Sequence, residues 1–267
     1  MIVDFHSHSH ESDGSLAPQA LADFMLERGV EAFSITDHDT VSAYDSLTVA
    51  PGVRMVRGLE INTTYAGNEV HILGYAMRSS DTALDALLAS NRAARDARAR
   101  KMVERLRAAG YAITYDDVVR EGAASKALGR PHVAKALMRS GAIPHVDYAF
   151  RHLLSYGKPA FAASEHVTPA DAVAAIKAAG GVAVLAHPGR LRDARVIEAA
   201  VNWGIDGLEV FYPRHDRSDV ARLRASAIRH GLLMTAGADF HDIRYHTAGV
   251  GMEVEEADIQ PFLERVL

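Results

Sequence analysis

The sequence predicts an α/β fold: a barrel-like sheet of parallel strands wrapped by helices and interrupted by a helical insertion. Three observations predict it. Short β-rich apolar runs alternate with amphipathic stretches, an order that calls for parallel strands and right-handed crossovers. Seven such runs occur, enough for a closed sheet. Between about residues 79 and 181 the strand signals vanish and helical patterns replace them.

The elements follow in order. Met1-Ile2-Val3 opens as a strand, and Leu16 to Arg28 reads as a helix with Pro18 in its first turn and Gly29 at its close. Ala32 to Thr36 alternates as a strand. A short helical piece from Val41 to Leu47 and a Pro51-Gly52 turn lead to the strand Val53–Val56, which ends in Gly58-Leu59-Glu60-Ile61. Glu69 to Tyr75 is another strand. The insertion holds a long helical region from Asp81 to Ala109, a helix beginning at Thr114, another from Pro131 to Arg139, and a last one from His145 to Leu154. Thr168-Pro169-Ala170-Asp171 supplies an N-cap, a first-turn proline and a first-turn acid. The strands Val182–Ala186, Gly207–Phe211 and Leu232–Ala236 then alternate with helices over Asp193–Trp203 and Arg217–His230. The expected division is 1–78 and 161–267 for the barrel, and 79–160 for the insertion.

Composition narrows the function. The chain has 267 residues, 48% of them hydrophobic, ample for one large core. A net charge of −5 argues against long duplex nucleic acid as a partner. Cysteine is absent, so a metal would be held by His, Asp and Glu, a donor set for Mn, Fe, Zn or Mg. Neither a leader segment nor an apolar run of membrane-spanning length is evident, and a soluble cytoplasmic protein with no membrane or obligate protein partner is expected.

The 14 histidines are informative through their placement. His6 and His8 stand two positions apart on an extended chain and so face the same side. His38, Glu60, His187, Asp239 and His241 also follow strand ends, while His71 falls inside a strand. Ligand-type residues gathered at the carboxyl ends of strands indicate a metal site, because that face of a β/α barrel carries its chemistry. Histidines scattered through a core would not favour one end.

With these residues in order, the chain resembles the PHP family (polymerase and histidinol phosphatase domains). The matching pieces are His6-Ser7-His8 with Ser12-Asp13-Gly14, Ile35 to Asp39, Gly58-Leu59-Glu60, Val70 to Gly74, Ala186-His187-Pro188 and Asp239-Phe240-His241. The resemblance implies a distorted seven-stranded β/α barrel and a centre of two or three divalent metals, Mn foremost. It implies that His6, His8, Glu60 and Asp239 hold one metal, Asp13, His38 and His241 a second, and Glu60, His71 and His187 a third. Asp13 stands where some relatives have His, which suits Mn or Mg better than Zn. The chain looks closest to a free-standing branch with a Gly-Arg-Pro-His motif in its insertion, here Gly129 to His132, and Tyr156-Gly157-Lys158-Pro159 also fits.

That branch implies removal of the 3′-phosphate from 3′,5′-nucleoside bisphosphates by attack of a metal-bridging hydroxide. The alternatives are 5′-to-3′ exonuclease action on short 5′-phosphorylated RNA, histidinol phosphate hydrolysis, and a non-catalytic metal-binding module. Asp239 is the expected orienting group or base, and His215, just beyond a strand end, the candidate general acid. Residues 91–107 carry seven basic side chains, with Arg95 at the edge of the apolar stripe and Arg98 beside it. A guanidinium there needs an anion, either a barrel carboxylate or a substrate phosphate. Arg95, Arg98, Arg130, His132 and Lys158 are therefore the candidates for gripping a second phosphate.

Overall fold

The computed structural model describes residues 1–267 apart from 164, 166, 192, 194 and 243–248. The chain begins β1 (Ile2–Asp4), α1 (Pro18–Glu27), β2 (Ala32–Phe33), β3 (Arg54–Met55), β4 (Gly58–Tyr65) and β5 (Asn68–Tyr75). Four helices follow: α2 (Thr82–Ala108), α3 (Tyr115–Glu121), α4 (Arg130–Arg139) and α5 (Val146–Ala149), the last running into a π-helical turn at Phe150–Leu154. Alternation then resumes with α6 (Pro169–Ala178), β6 (Val182–Leu185), α7 (Arg195–Trp203), β7 (Gly207–Phe211), α8 (Arg217–His230) and β8 (Leu233–Ala236). β9 (Met252–Glu253) and α9 (Glu256–Val266) complete the chain.

The strands form two sheets, ordered β3-β2-β1-β9 and β4-β5-β6-β7-β8. Where seven strands in one closed parallel sheet were expected, the described residues hold nine in two open sheets. The main cause is local. Ala66 and Gly67 both take positive φ, 48° and 76°, which makes a two-residue hairpin turn. A connection that short allows only antiparallel pairing, so β5 runs against β4, and β6 in turn pairs antiparallel with β5. β9 and α9 have no counterpart in the sequence reading. β9 is two residues long and pairs antiparallel with β1, while α9 sets Phe262 edge-on against Phe5 and Tyr75, each 5.0 Å away.

Two isolated parallel bridges, Ser7 to Phe240 and His38 to Glu60, join the sheets just beyond the carboxyl ends of β1, β8 and β2. The cores lie beneath this edge. Leu59, Ile61, Ile72, Leu185 and Leu208 pack under α6 and α7, and Phe5, Tyr75, Val184 and Phe262 form a neighbouring cluster.

The helices after β5 have a core of their own. α2 is capped by Asp81, whose carboxylate accepts from the N–H groups of Ala83 and Leu84. Its first turns bury Leu84 and Leu88 in the sheet's core. From Ala99 onward Met102, Val103 and Leu106 pack instead with Val118, Val133, Leu137 and Leu154. One helix thus serves two cores, and the change from one to the other falls inside α2, between Leu88 and Ala99. Among the described residues no helix is long and apolar enough to cross a membrane.

Candidate metal centre

Backbone bonds between strand extensions assemble the site. β1 continues beyond Asp4, and β8 beyond Ala236, as a ladder: Phe5 N–H bonds Ala236 O (2.9 Å), Asp239 N–H bonds His6 O (2.7 Å), and His8 N–H bonds Phe240 O (2.8 Å). This ladder places His6, His8 and Asp239 side by side. Gly237 permits it, since a Cβ there would come within 2.3 Å of the His6 Cβ. Asp39 N–H bonds Glu60 O at 2.9 Å and Glu60 N–H bonds Asp37 O at 3.2 Å, bringing His38 to Glu60. The antiparallel course of β5 explains His71. Its carbonyl accepts from Ala186 N–H (3.1 Å), so it lies beside the carboxyl end of β6, next to His187. Asp39, His187 and Asp239 hold positive φ values of 52°, 32° and 53°, strain that non-glycine residues keep only where their surroundings enforce it.

All nine expected ligands converge. His6 Nε2 is 3.4 Å from Glu60 Oε1 and 3.4 Å from Asp239 Oδ1, and His8 Nε2 is 3.4 Å from Glu60 Oε2 and 3.3 Å from Asp239 Oδ1. His38 Nδ1 and His71 Nδ1 approach the two Glu60 oxygens at 2.9 and 2.8 Å, and His187 Nε2 lies 3.3 Å from Oε1. His241 Nε2 is 3.3 Å and His8 Nδ1 3.9 Å from Asp13 Oδ1, while His38 Nε2 is 3.8 Å from Asp13 Oδ2.

Buried His6 Nε2, His8 Nε2, His38 Nδ1 and Glu60 Oε2 lack hydrogen-bond partners. Buried polar atoms are rarely left so. Two ligands each about 2.1 Å from one ion, at angles of 90–110°, stand about 3.0–3.4 Å apart. The spacing and the orphaned atoms therefore fit divalent metals held by nitrogen and oxygen. The geometric groupings are His8-Asp13-His38-His241, His6-His8-Glu60, His6-His187-Asp239 and His38-Glu60-His71. They keep the expected role of Glu60 as a shared ligand but set His187 with His6 and Asp239.

The charges agree. Burial opposes ionisation of Asp13, Glu60 and Asp239, yet the surrounding imidazoles outweigh it and hold all three carboxyls well below the usual range. Burial likewise disfavours charge on His6, but Glu209, Glu60 and Asp239 push its pKa well up. His241 rises to about 9 against the same burial, chiefly through Asp13 and Asp239. At His38 burial wins and the value falls to about 4. Ionised carboxylates packed among imidazoles leave a charge pattern that a bound cation would complete.

The expected phosphate-binding residues divide. Arg95, Arg98 and Arg130 line a cavity of about 400 Å³ together with Asp13, His38, Glu60, His71, His187, Asp239 and His241. Each arginine meets a carboxylate: Arg95 bonds Asp39 (2.6 Å), and Glu69 takes both Arg98 and Arg130, the latter at 2.7 Å. Arg95 and Arg98 thus each meet a carboxylate, one of the two kinds of partner foreseen for them. His132 is buried and outside this lining. Its Nδ1 accepts from Gly129 N–H (3.0 Å), and burial lowers its pKa to about 4. Lys158 is exposed and lines no part of the cavity.

His215 is also placed differently from its expected role as an acid. Its Nδ1 donates to Val210 O (2.9 Å) and its Nε2 accepts from Gly189 N–H (3.1 Å). Both nitrogens are engaged with the backbone. The ring pins the turn that follows His187.

Glu209, Asp4 and the role of Tyr212 were not read from the sequence. Glu209, fully buried, accepts from His6 Nδ1 (2.9 Å) and from His187 N–H (2.7 Å). Asp4 accepts from the N–H groups of His6, Ala238 and Gly251. Tyr212 donates its hydroxyl to Asp239 Oδ2 (3.0 Å) and receives Arg190 (3.1 Å). The signal for the first two was a lone carboxylate inside an apolar strand, in Leu208-Glu209-Val210 and Val3-Asp4-Phe5, since a buried charge must have partners.

An α/β protein whose strand ends gather imidazoles and carboxylates at metal-ligand spacing, beside arginines, belongs to the class of metal-dependent hydrolases. No family model matches the sequence. The chain is 34% identical over 250 residues to a 3′,5′-nucleoside bisphosphate phosphatase of Chromobacterium violaceum, covering 90% of this chain and 87% of the relative. It is 34% identical to a phosphoribosyl 1,2-cyclic phosphate 1,2-diphosphodiesterase of Eggerthella lenta, over 95% of this chain and 99% of the relative. A 5′-3′ exoribonuclease of Haemophilus influenzae is 32% identical, with 89% of each chain covered. A solved structure from Bifidobacterium adolescentis, assigned as a metal-dependent phosphoesterase, superposes with a TM-score of 0.87 at 32% identity, over 99% of this chain and 96% of that one. The chain belongs to the PHP family of metal-dependent phosphoesterases, in the branch that holds these phosphatases and exoribonucleases.

Proposed function

We propose that this protein removes the 3′-phosphate from 3′,5′-nucleoside bisphosphates and leaves the 5′-monophosphate. One observation carries the reading: a single cavity of about 400 Å³ is lined by the His/Asp/Glu cluster and by Arg95, Arg98, Arg130 and Arg190. A substrate with two phosphates uses both parts. The Chromobacterium violaceum relative is named for the same reaction.

His6, His8, Asp13, His38, Glu60, His71, His187, Asp239 and His241 would hold two or three divalent ions. Mn is favoured because the donors are imidazole and carboxylate without thiolate. Bound ions supply an activated water and polarise the phosphoryl oxygens. The chain's own groups do the rest. Arg98 and Arg130 flank Glu69 on the cavity wall, where their guanidinium forks suit a phosphate. Asp239 turns Oδ1 toward His6 and His8, while Tyr212 holds Oδ2. His132 and His215 act by positioning: the first caps α4 at the Gly-Arg-Pro-His motif, the second secures the His187 turn. Residues 79–160 form the substrate-binding insertion over the site. The two bridged sheets are read as one distorted seven-stranded barrel with extra edge strands. A nucleotide substrate favours a cytoplasmic location.

Exonuclease action on short 5′-phosphorylated RNA is the second reading, favoured because a second cavity shares Arg98 and Arg130 with the first. Histidinol phosphate, with one phosphate, gives these arginines no role, and a non-catalytic module gives none to the complete cluster. The test is phosphate release by Mn-loaded protein from adenosine 3′,5′-bisphosphate, with adenosine 5′-monophosphate and a short 5′-phosphorylated RNA in parallel. Release from the bisphosphate with the 5′-monophosphate surviving supports the proposal. Stepwise shortening of the RNA with the bisphosphate intact replaces it by the second reading, and inactivity on all three refutes both.

A further inference from the structure

Past the arginines lies a second cavity of about 260 Å³, which shares Glu69, Arg98, Arg130, Arg190 and Leu191 with the first. It is lined by an aromatic pair. Tyr156 and Phe161 meet edge to face with centroids 5.4 Å apart and planes at 67°. Tyr156 is 64% exposed, unusual for so large a ring, while Phe161 is half-buried. The Arg98 guanidinium lies 5.9 Å from the Phe161 centroid.

The platform is braced. Arg98 Nε bonds Ala162 O (2.9 Å) and Arg105 bonds Phe161 O, so two arginines of α2 hold the backbone beneath the ring. Tyr156 stands two residues beyond the π-helical turn, whose Leu153 and Leu154 are buried. Tyr212, a third aromatic near the centre, is 4% exposed with its hydroxyl committed to Asp239, and offers no face for stacking.

Flat apolar faces beside guanidinium groups suit a planar base joined to a phosphate. Stacking tolerates any base because each has a π face. We propose that the second cavity is a nucleobase subsite: the base stacks on the Tyr156 ring with Phe161 meeting it edge to face, while a phosphate of the same nucleotide rests on Arg98 and Arg130. This rests on the nucleotide reading above and adds where the base goes. A phosphate ester with no base would fill the metal cavity alone.

The experiment compares wild type, Tyr156→Ala and Phe161→Leu on two substrates, adenosine 3′,5′-bisphosphate and the abasic 1-deoxyribose 3,5-bisphosphate. Calorimetric titration with adenosine 5′-monophosphate runs beside it. Tyr156 is exposed and Phe161→Leu keeps an apolar side chain, so both variants should fold. The expected result is a KM for the adenosine substrate raised about tenfold in Tyr156→Ala, the lower part of the range for losing one stacked base, and by a smaller factor in Phe161→Leu. The abasic KM should stay unchanged, and adenosine monophosphate binding should weaken by the same factor in each variant. A wild-type KM that ignores the base, or equal losses on both substrates, overturns the subsite while leaving the nucleotide reading intact. Inactivity of the wild type on both substrates overturns both.

Discussion

Replacing Glu209 with glutamine isolates one buried carboxylate that lies outside the lining of both cavities described above. Both of its partners are donors. His6 gives Nδ1–H to Oε1 at 2.9 Å, and His187 gives its backbone N–H to Oε2 at 2.7 Å. The first bond fixes the tautomer of His6 and leaves the Nε2 lone pair aimed between Glu60 and Asp239. The second holds His187 in its left-handed conformation. Glutamine is the same size but has one acceptor oxygen, so its NH2 must face a donor at a site with no water access. One charge-assisted bond is lost, worth about 1.5–3 kcal/mol. Read as metal affinity, that is a drop of about 10- to 150-fold. Calorimetric titration of Mn into metal-free wild type and Glu209→Gln measures it, with thermal melts recording any share taken from folding. If neither the Kd nor the Tm moves, the claim that Glu209 orients the ligands is wrong.

Three further outcomes are expected. Metal binding should release protons, because His6, His71 and His241 have raised pKa values that a cation displaces; titrations in buffers of different ionisation enthalpy will show it, and affinity should fall with acid. Asp39→Asn should destabilise the protein by about 3–5 kcal/mol, the cost of stranding buried Arg95, and denaturant melts measure it. His132 takes up a proton near 6.5 in the unfolded chain but only near 4 in the folded one. Between those values the unfolded state binds more protons, so stability falls as pH drops from 6.5 to 4, by up to about 3 kcal/mol. His132→Asn should flatten that slope in melts taken across the window.

Much of the site was legible because its motifs are local. A strand end followed by His-x-His, or by Asp-x-His, announces itself within a few residues, and β1, β6, β7 and β8 lie where their apolar runs predict. The hairpin of β4 and β5 escaped because Ala66-Gly67 is a weaker turn signal than Asn-Gly, although its backbone adopts the same turn. β9 escaped because two residues carry no periodicity. The arginines of α2 were recognised as needing anions, but whether Asp39, Glu69 or a phosphate met them depended on which strand faced the helix.

The sequence by itself determined the α/β class, the helical segment after β5, the family and the nine residues that converge on one centre, since each rests on a short pattern of residue types. The tertiary structure decided the two-sheet topology, the carboxylates that meet Arg95, Arg98 and Arg130, the backbone bonds of the His215 ring, and the place of Glu69 in the lining of both cavities. It also decided Glu209, whose bond to His6 spans 203 residues. A hydrogen bond depends on distance and direction in space, and no local pattern encodes which of many distant carboxylates will arrive at a given imidazole.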